Sequence, residues 1–361
     1  MYLKHLRLQN FRNHLDLSLE FHPRVNLITG DNGIGKTNIL EAIHLISTGK
    51  SFRTSCFDEM IHHTCSFFFI EAEFVKENIH QTIKIGYEKK QKYIELNATK
   101  LMSFSNLLGI LPSVLFAPKD INLIMGFPAD RRRFLNIYLS QIDPLYVHYL
   151  QRYTKCLEQR NALLKTKKAL DILEMRCFEK ELCLAWSYLL KSRLKGVEKL
   201  SELLQKHLQH LTQVYEPFQI KYIPSASITH DDPEHLCQIF EKIRPKEKLL
   251  GVTLAGPHRE DFGIYLNNQP VKSFCSEGQK RSFLTALKLA EWDVLSLSHP
   301  SLPLFCLDDL GIHLDEKRLC FLEKKLSHLG QVFISSPKNT LHATQSAHMK
   351  AFDLANLLQV L

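Results

Sequence analysis

The sequence has no uninterrupted apolar stretch approaching the ~18 residues needed to span a bilayer. Its first dozen residues carry Lys4, His5, Arg7 and Arg12 and lack the continuous apolar core of a signal peptide. No membrane partner is expected, and the chain reads as cytoplasmic. Its nine cysteines are odd in number and scattered without one Cys-x-x-Cys, which argues against a disulfide framework. Cys56, His62, His63 and Cys65 fall within ten residues, but the adjacent histidines match no usual zinc-ligand spacing, so no zinc site is expected. Internal repeats and low-complexity segments are also missing.

What remains is an ordinary globular composition over 361 residues, enough for one large or two modest domains. The formal charge of +8 is uneven: between Lys119 and Tyr215 there are 17 Lys and Arg against 10 Asp and Glu. Such an excess suits a basic face for phosphate backbones, or simply a solvated helical surface.

The most informative stretch is Gly30-Asp31-Asn32-Gly33-Ile34-Gly35-Lys36-Thr37, which fits Gly-x-x-x-x-Gly-Lys-Thr. An apolar run, Val25 to Ile28, precedes it, and apolar residues at Ile39, Leu40, Ile43 and Ile46 follow at the spacing of a helix with one buried face. A strand, a glycine loop and a helix in this order make a cradle of amide N–H groups for phosphates. Lys36 would reach the β- and γ-phosphates, and the Thr37 hydroxyl would ligate Mg2+.

Elsewhere the chain alternates. Two strands are expected around a turn at Asn10 to His14, and three more at Ser66 to Phe74, Ile79 to Tyr87 and Lys92 to Leu96, forming an antiparallel sheet beside the nucleotide loop. From Leu145 to Glu216 there is no proline and only Gly196, which predicts helices with breaks near Lys165 to Lys168 and near Gly196. The spacing of Tyr146, Tyr149 and Tyr153 points to a buried stripe. Pro217, Pro224, Pro233 and Pro245 then suggest irregular chain before strand-like sequence at Leu249 to Leu254.

Two further segments complete the pattern. Pro303 to Leu307 is an apolar run ending in Asp308 and Asp309, which would deliver carboxylates beside the glycine loop. Asp308 would hold Mg2+, and Asp309 could polarise an attacking water. Upstream, Ser276-Glu277-Gly278-Gln279 opens a helical pattern at Phe283, Leu287, Ala290 and Val294.

With these three motifs in order, the chain resembles the ABC ATPases, in which a Ser-x-Gly-Gln loop binds ATP held by a partner subunit. That resemblance implies two chains sandwiching two ATP molecules, with Ser276, Gly278 and Gln279 reaching across. The chain is more closely similar to the RecF family, related to the heads of Rad50 and SMC proteins. The similarity is carried also by Asn10-Phe11-Arg12-Asn13, Leu40-Glu41-Ala42-Ile43, Ser51-Phe52-Arg53, Phe116 to Asp120, Arg131 to Leu135, Gln159 to Leu164 and Gly256 to Asp261. Two departures stand out. Ile312-His313 replaces the family's Ser-Glu or Ser-Ala before Leu314-Asp315, and Ser335-Ser336-Pro337 stands where transporter-type relatives carry a histidine.

The resemblance implies an α/β fold: an ABC-type P-loop ATPase head with an inserted α-helical subdomain. The expected boundaries are head at 1–118, insertion at 119–247 and head again at 248–361. It also implies a weak Mg2+-dependent ATPase acting as a switch in recombinational DNA repair and replication. Its expected partners are DNA (single-stranded, gapped or junction), a second copy of the chain, RecR, RecO and RecA, with a role in SOS induction. A transport ATPase subunit is the first rival, but Lys36 and Ser276 lie 240 residues apart. A coiled-coil SMC protein would need far more helix than the 72 residues from 145 to 216, and a small-molecule kinase would leave the Ser-x-Gly-Gln loop unexplained.

Overall fold

A computed structural model describes residues 1–166, 172–213, 215–228, 230–309, 321, 325, 326, 328–337 and 348–358. In chain order the elements are β1 (Tyr2–Phe11), β2 (His14–Glu20), β3 (Val25–Thr29), α1 (Lys36–Thr48), β4 (Phe67–Lys76), β5 (Ile79–Glu88), β6 (Gln91–Leu96), β7 (Thr99–Lys100) and β8 (Ser113–Phe116). There follow α2 (Asn122–Met125), α3 (Pro128–Ile142), α4 (Pro144–Lys165), α5 (Ile172–Thr212), β9 (Phe218–Ile223) and α6 (Pro233–Leu250). The remainder comprises β10 (Asp261–Leu266), β11 (Gln269–Pro270), α7 (Val271–Phe274), α8 (Glu277–Ser298), β12 (Leu304–Leu307), β13 (Val332–Ser336), β14 (Met349–Asp353) and a last short helix, Leu354–Leu358.

The chain divides into two compact units. One comprises Met1–Asp120 with Arg281–Leu361, the other Ile121–Lys280. Residues 248–280, expected with the head, therefore cluster with the second unit, because β10 pairs with β9 along its whole length.

The first unit holds two sheets. An antiparallel sheet of order β2-β1-β4-β5-β6-β7 has its strands joined, from β4 onward, by two-residue turns. Glu77-Asn78, Lys89-Lys90 and Asn97-Ala98 all have positive φ at both positions, the turn geometry whose twist suits a hairpin. A parallel sheet of order β14-β3-β13-β12-β8 places β13 between the strand of the glycine loop and the strand of the paired aspartates. Leu6, Leu8, Phe68 and Ile70 of the first sheet, and Ile28, Cys306 and Phe333 of the second, join one core with Ile39, Ile43 and Ile46 of α1. The sequence suggested one buried face for α1, but 12 of its 13 residues are buried. A helix covered on both sides by sheets has no solvent face to spare, so its polar residues must find partners inside.

The second unit is helical around a small sheet of order β11-β10-β9. The break expected near Lys165 falls between α4 and α5. The one expected near Gly196 does not occur: α5 runs through it, and a Cβ there would lie 2.7 Å from Leu139 Cδ2. Gly196 thus serves close helix packing against α3 rather than termination. The proline-rich stretch also contains α6, since Pro233 occupies the first helical turn, where no N–H is needed, and Asp232 caps it by accepting from His235 N. The Leu249 to Leu254 segment is not a strand. Leu249 and Leu250 end α6, Gly251 turns the chain at φ 68°, and irregular chain follows to Leu254. Tyr146 and Tyr153 are buried, as their spacing implied, whereas Tyr149 is only half-buried.

Candidate nucleotide-binding site

Between β3 and α1 the loop turns inward on three glycines, of which Gly35 is the most constrained. Its φ is 111°, and a Cβ would sit 2.5 Å from Asn13 Oδ1 and 2.6 Å from His14 Nε2. The β1–β2 turn therefore presses directly on the loop. Asn13 Nδ2 donates to the Ile34 carbonyl at 2.9 Å, and Asn13 Oδ1 accepts from Asn38 Nδ2 at 2.5 Å. Buried His14 meets the Gly35 carbonyl at 3.2 Å, and burial lowers its pKa from the ordinary value. Lys36 Nζ donates to the carbonyls of Gly30 and Asp31 at 2.7 and 2.8 Å and has no carboxylate partner among the described residues. Asp31 and Asn32 expose their side chains at the loop tip.

Behind the loop lies fully buried Glu41. Its carboxylate takes a two-pronged ion pair from Arg12 at 2.9 and 2.6 Å, a hydrogen bond from Ser51, and a longer contact from Arg53 at 3.5 Å. Arg53 also donates to Asn38 Oδ1 at 2.6 Å. Three segments singled out only by resemblance thus meet at one carboxylate and fix the start of α1.

The acidic end of β12 closes the other side. Asp308 Oδ1 accepts from the Thr37 hydroxyl and from the Ser335 hydroxyl, both at 2.8 Å. Burial raises the Asp308 pKa, against the lowering effect of those two hydrogen bonds. Asp309 adopts φ 57°, donates its N–H to Ser335 Oγ at 2.8 Å, and leaves Oδ1 buried with no hydrogen-bond partner. A left-handed non-glycine residue with an orphaned carboxylate oxygen is a strained arrangement of the kind found at functional sites. Among the described residues Lys36 has no ion-pair partner, and neither Asp308 nor Asp309 forms an ion pair, Arg53 acting on Asp308 only at longer range. The set fits a phosphate chain carrying a divalent metal, with Thr37 and Asp308 as the metal's protein ligands and Lys36 on the phosphates.

Sequence reasoning missed Ser335. It registered Ser335-Ser336 only as a lost histidine, yet β13 lies between β3 and β12, so its end necessarily faces both motifs. The Ile312 to Asp315 loop lies outside the described residues. Among the described residues no cluster of His, Cys, Asp and Glu could hold a metal ion, and the eight cysteines among them are free. His62 instead shares a 2.9 Å hydrogen bond with Thr64.

The Ser276-x-Gly278-Gln279 loop belongs to the second unit. Ser276 and Gln279 cap one another, Gln279 N donating to Ser276 Oγ at 3.2 Å and Ser276 N to Gln279 Oε1 at 3.0 Å. Gln279 Nε2 donates to Glu216 at 2.7 Å. Ser276 is exposed at the helix start, where backbone N–H groups and the helix dipole favour an anion.

Comparison with known proteins agrees with this arrangement. Residues 2–356 match the RecF/RecN/SMC N terminal domain. The chain is 40% identical over 340 residues to the DNA replication and repair protein RecF of Protochlamydia amoebophila, covering 93% of this chain and 94% of that one. It is 33% identical over 343 residues to the protein of the same name from Alkaliphilus oremlandii, covering 93% of each. Among solved structures, the recombination mediator protein RecF-ATPrS in the RecFOR pathway superposes with a TM-score of 0.88 at 33% identity, covering 98% and 96% of the two chains. An Smc head bound to the C-winged helix domain of ScpA matches at TM-score 0.51 and 14% identity over 94% and 90%, a likeness of fold alone. No helix among the described residues is long and apolar enough to cross a membrane.

Proposed function

The chain belongs to the RecF family, and from that membership we propose an ATP-dependent DNA-binding protein of recombinational repair and replication, whose ATP-bound form closes a homodimer on DNA. The observation that carries this reading is the 2.8 Å link from Thr37 to Asp308, which joins the glycine loop to the acidic strand. The residues have separate tasks. Backbone amides from Gly30 to Thr37, with Lys36, hold the triphosphate. Thr37 and Asp308 hold Mg2+, which supplies charge neutralisation at the β- and γ-phosphates. Asp309 orients and polarises the attacking water. An aspartate reaches less far than a glutamate, and Ser335 is a hydroxyl where a histidine would add a proton carrier, so hydrolysis is slow and ATP acts as a clamp. Ser276, Gly278 and Gln279 contact the ATP of the second copy, making each site incomplete in one chain.

On this reading the closed dimer grips single-strand gaps or single-to-double-strand junctions through phosphate contacts with little sequence preference. RecR and RecO act with it, and RecA is loaded at the gap, which connects it to SOS induction. Relatives bearing the RecF name and the RecF-ATPrS structure support the repair role and the nucleotide. The test is retention of a gapped duplex by wild type, Lys36→Ala and Ser276→Arg with and without ATP and Mg2+. Wild type should hold the duplex only with both. Lys36→Ala should lose ATP binding or hydrolysis, and Ser276→Arg should bind ATP as a monomer but fail to clamp. ATP-independent retention by all three would overturn the clamp.

A further inference from the structure

In the second unit, the start of α3 docks onto the chain entering β10. Arg131 forks onto Asp261 at 2.8 and 2.7 Å, and Arg132 donates to the Glu260 carbonyl at 3.1 Å. The Glu260 carboxylate is spent inward on Trp186 at 2.7 Å, Arg193 at 3.0 Å and Tyr222. Both carboxylates of this neighbourhood are therefore committed, one to Arg131 and one to Arg193. Among the described residues Arg132 and Arg259 are left with carbonyl acceptors only, Arg259 donating to Thr253 O at 3.4 Å. Four guanidinium groups face two carboxylates.

The surplus is placed where a ligand can reach it. Arg259 is exposed and Arg132 half-buried. A solvated arginine needs no partner, but half-buried Arg132, with five N–H donors and one hydrogen-bond acceptor among the described residues, has donors to spare. Burial lowers the Arg132 pKa. Asp261 opposes that shift, while Arg193, Arg259 and Arg131 reinforce it. His258 adds no charge at neutral pH, being held down to about 4 by burial. A planar guanidinium pair of this kind matches phosphate oxygens.

We propose that Arg132 and Arg259 form a fork for a phosphate group, which on the DNA reading above is a backbone phosphodiester. The fork requires no ATP chemistry, so its loss should leave DNA-free ATPase activity unchanged.

The test compares wild type, the double variant Arg132→Gln/Arg259→Gln, and Lys89→Gln/Lys90→Gln, which removes the same charge from the exposed β5–β6 turn. Each is titrated with a gapped duplex in ATP and Mg2+ at several salt concentrations, after its thermal unfolding is checked. Two lost contacts should flatten the slope of log Kd against log salt by about two and weaken low-salt affinity about tenfold or more. The control should match wild type. Wild-type slope and affinity in the double variant, or an equal loss in the control, would overturn the fork.

If wild type binds no duplex at all, the DNA reading fails separately. Inorganic pyrophosphate then decides the fork: protection of Arg132 and Arg259 from phenylglyoxal retains it for a free phosphate compound, and no protection removes it.

Discussion

In the second unit Arg160 lies fully buried between Glu179 and Glu247, at 2.8 and 2.6 Å, with Arg244 closing on Glu179 at 2.5 Å. Two cations meet two anions, the Arg160 guanidinium stacks over Phe240 at 4.8 Å, and the Thr253 hydroxyl takes a further N–H. In the first unit, by contrast, Asp308 and Asp309 sit at a strand end with hydroxyls for partners, and Lys36 sits on carbonyls. Desolvating charge is costly in both places. Where the charges cancel locally, the arrangement holds helices together. Where no ion pair forms among the described residues, the arrangement suits a ligand of opposite charge. The contrast separates a structural network from a candidate binding site.

The comparison can be broken at its strongest point first. Arg160→Met should leave Glu179 and Glu247 facing each other and cost about 3–5 kcal/mol, as removal of one partner from a buried ion pair does. Urea unfolding would measure it. If the loss stays below about 1 kcal/mol, the second unit's charges are not the self-contained network described.

Asp308→Asn makes the opposite case. Removing a buried carboxylate that forms no ion pair among the described residues should leave the ligand-free protein as stable as wild type or slightly more so. It should also remove the stabilisation by ATP and Mg2+, about 2.7 kcal/mol at a ligand concentration 100 times Kd. Thermal unfolding with and without the ligand reads both effects. A ligand-free loss comparable to that of Arg160→Met would put Asp308 among the structural charges.

The pH dependence sharpens the same point. The folded-state pKa of Asp308 is raised above its ordinary value of 3.8, so the folded form binds this proton more tightly than the unfolded chain. Its contribution to stability is fully present below about 3.8 and is lost as pH rises through the raised value. Without Mg2+, wild type should therefore lose stability relative to Asp308→Asn over that rise. Parallel profiles for the two proteins would refute the shift. The smallest effect belongs to an exposed pair, Arg152 and Glu181, each more than 40% exposed. Arg152→Ala should change stability by less than about 1 kcal/mol, screened by salt. A loss as large as that of Arg160→Met would mean pairing matters more than burial.

How far these features could be read in advance depended on how local they are. Gly30 to Thr37 was legible because the loop, its strand and its helix are contiguous, and Asp308 because an apolar strand ends there. Glu41 carried no signal beyond resemblance, since Arg12 and Ser51 find it only after β1 and the chain beyond α1 fold around it. Ser335 was hidden because its meaning depends on the order of β3, β13 and β12, which no short pattern encodes. Gly196 and Pro233 misled for a different reason. Each is a helix breaker in isolation, but Gly196 is required where α3 crosses α5, and Pro233 stands in a first turn that asks for no N–H.

The most direct measurement is molar mass in solution, by light scattering, with and without ATP and Mg2+ and again with a gapped duplex. The account predicts a monomer that becomes a dimer only when both are present and then retains the duplex. A monomer under every condition would contradict it, leaving a nucleotide site with no clamp to close.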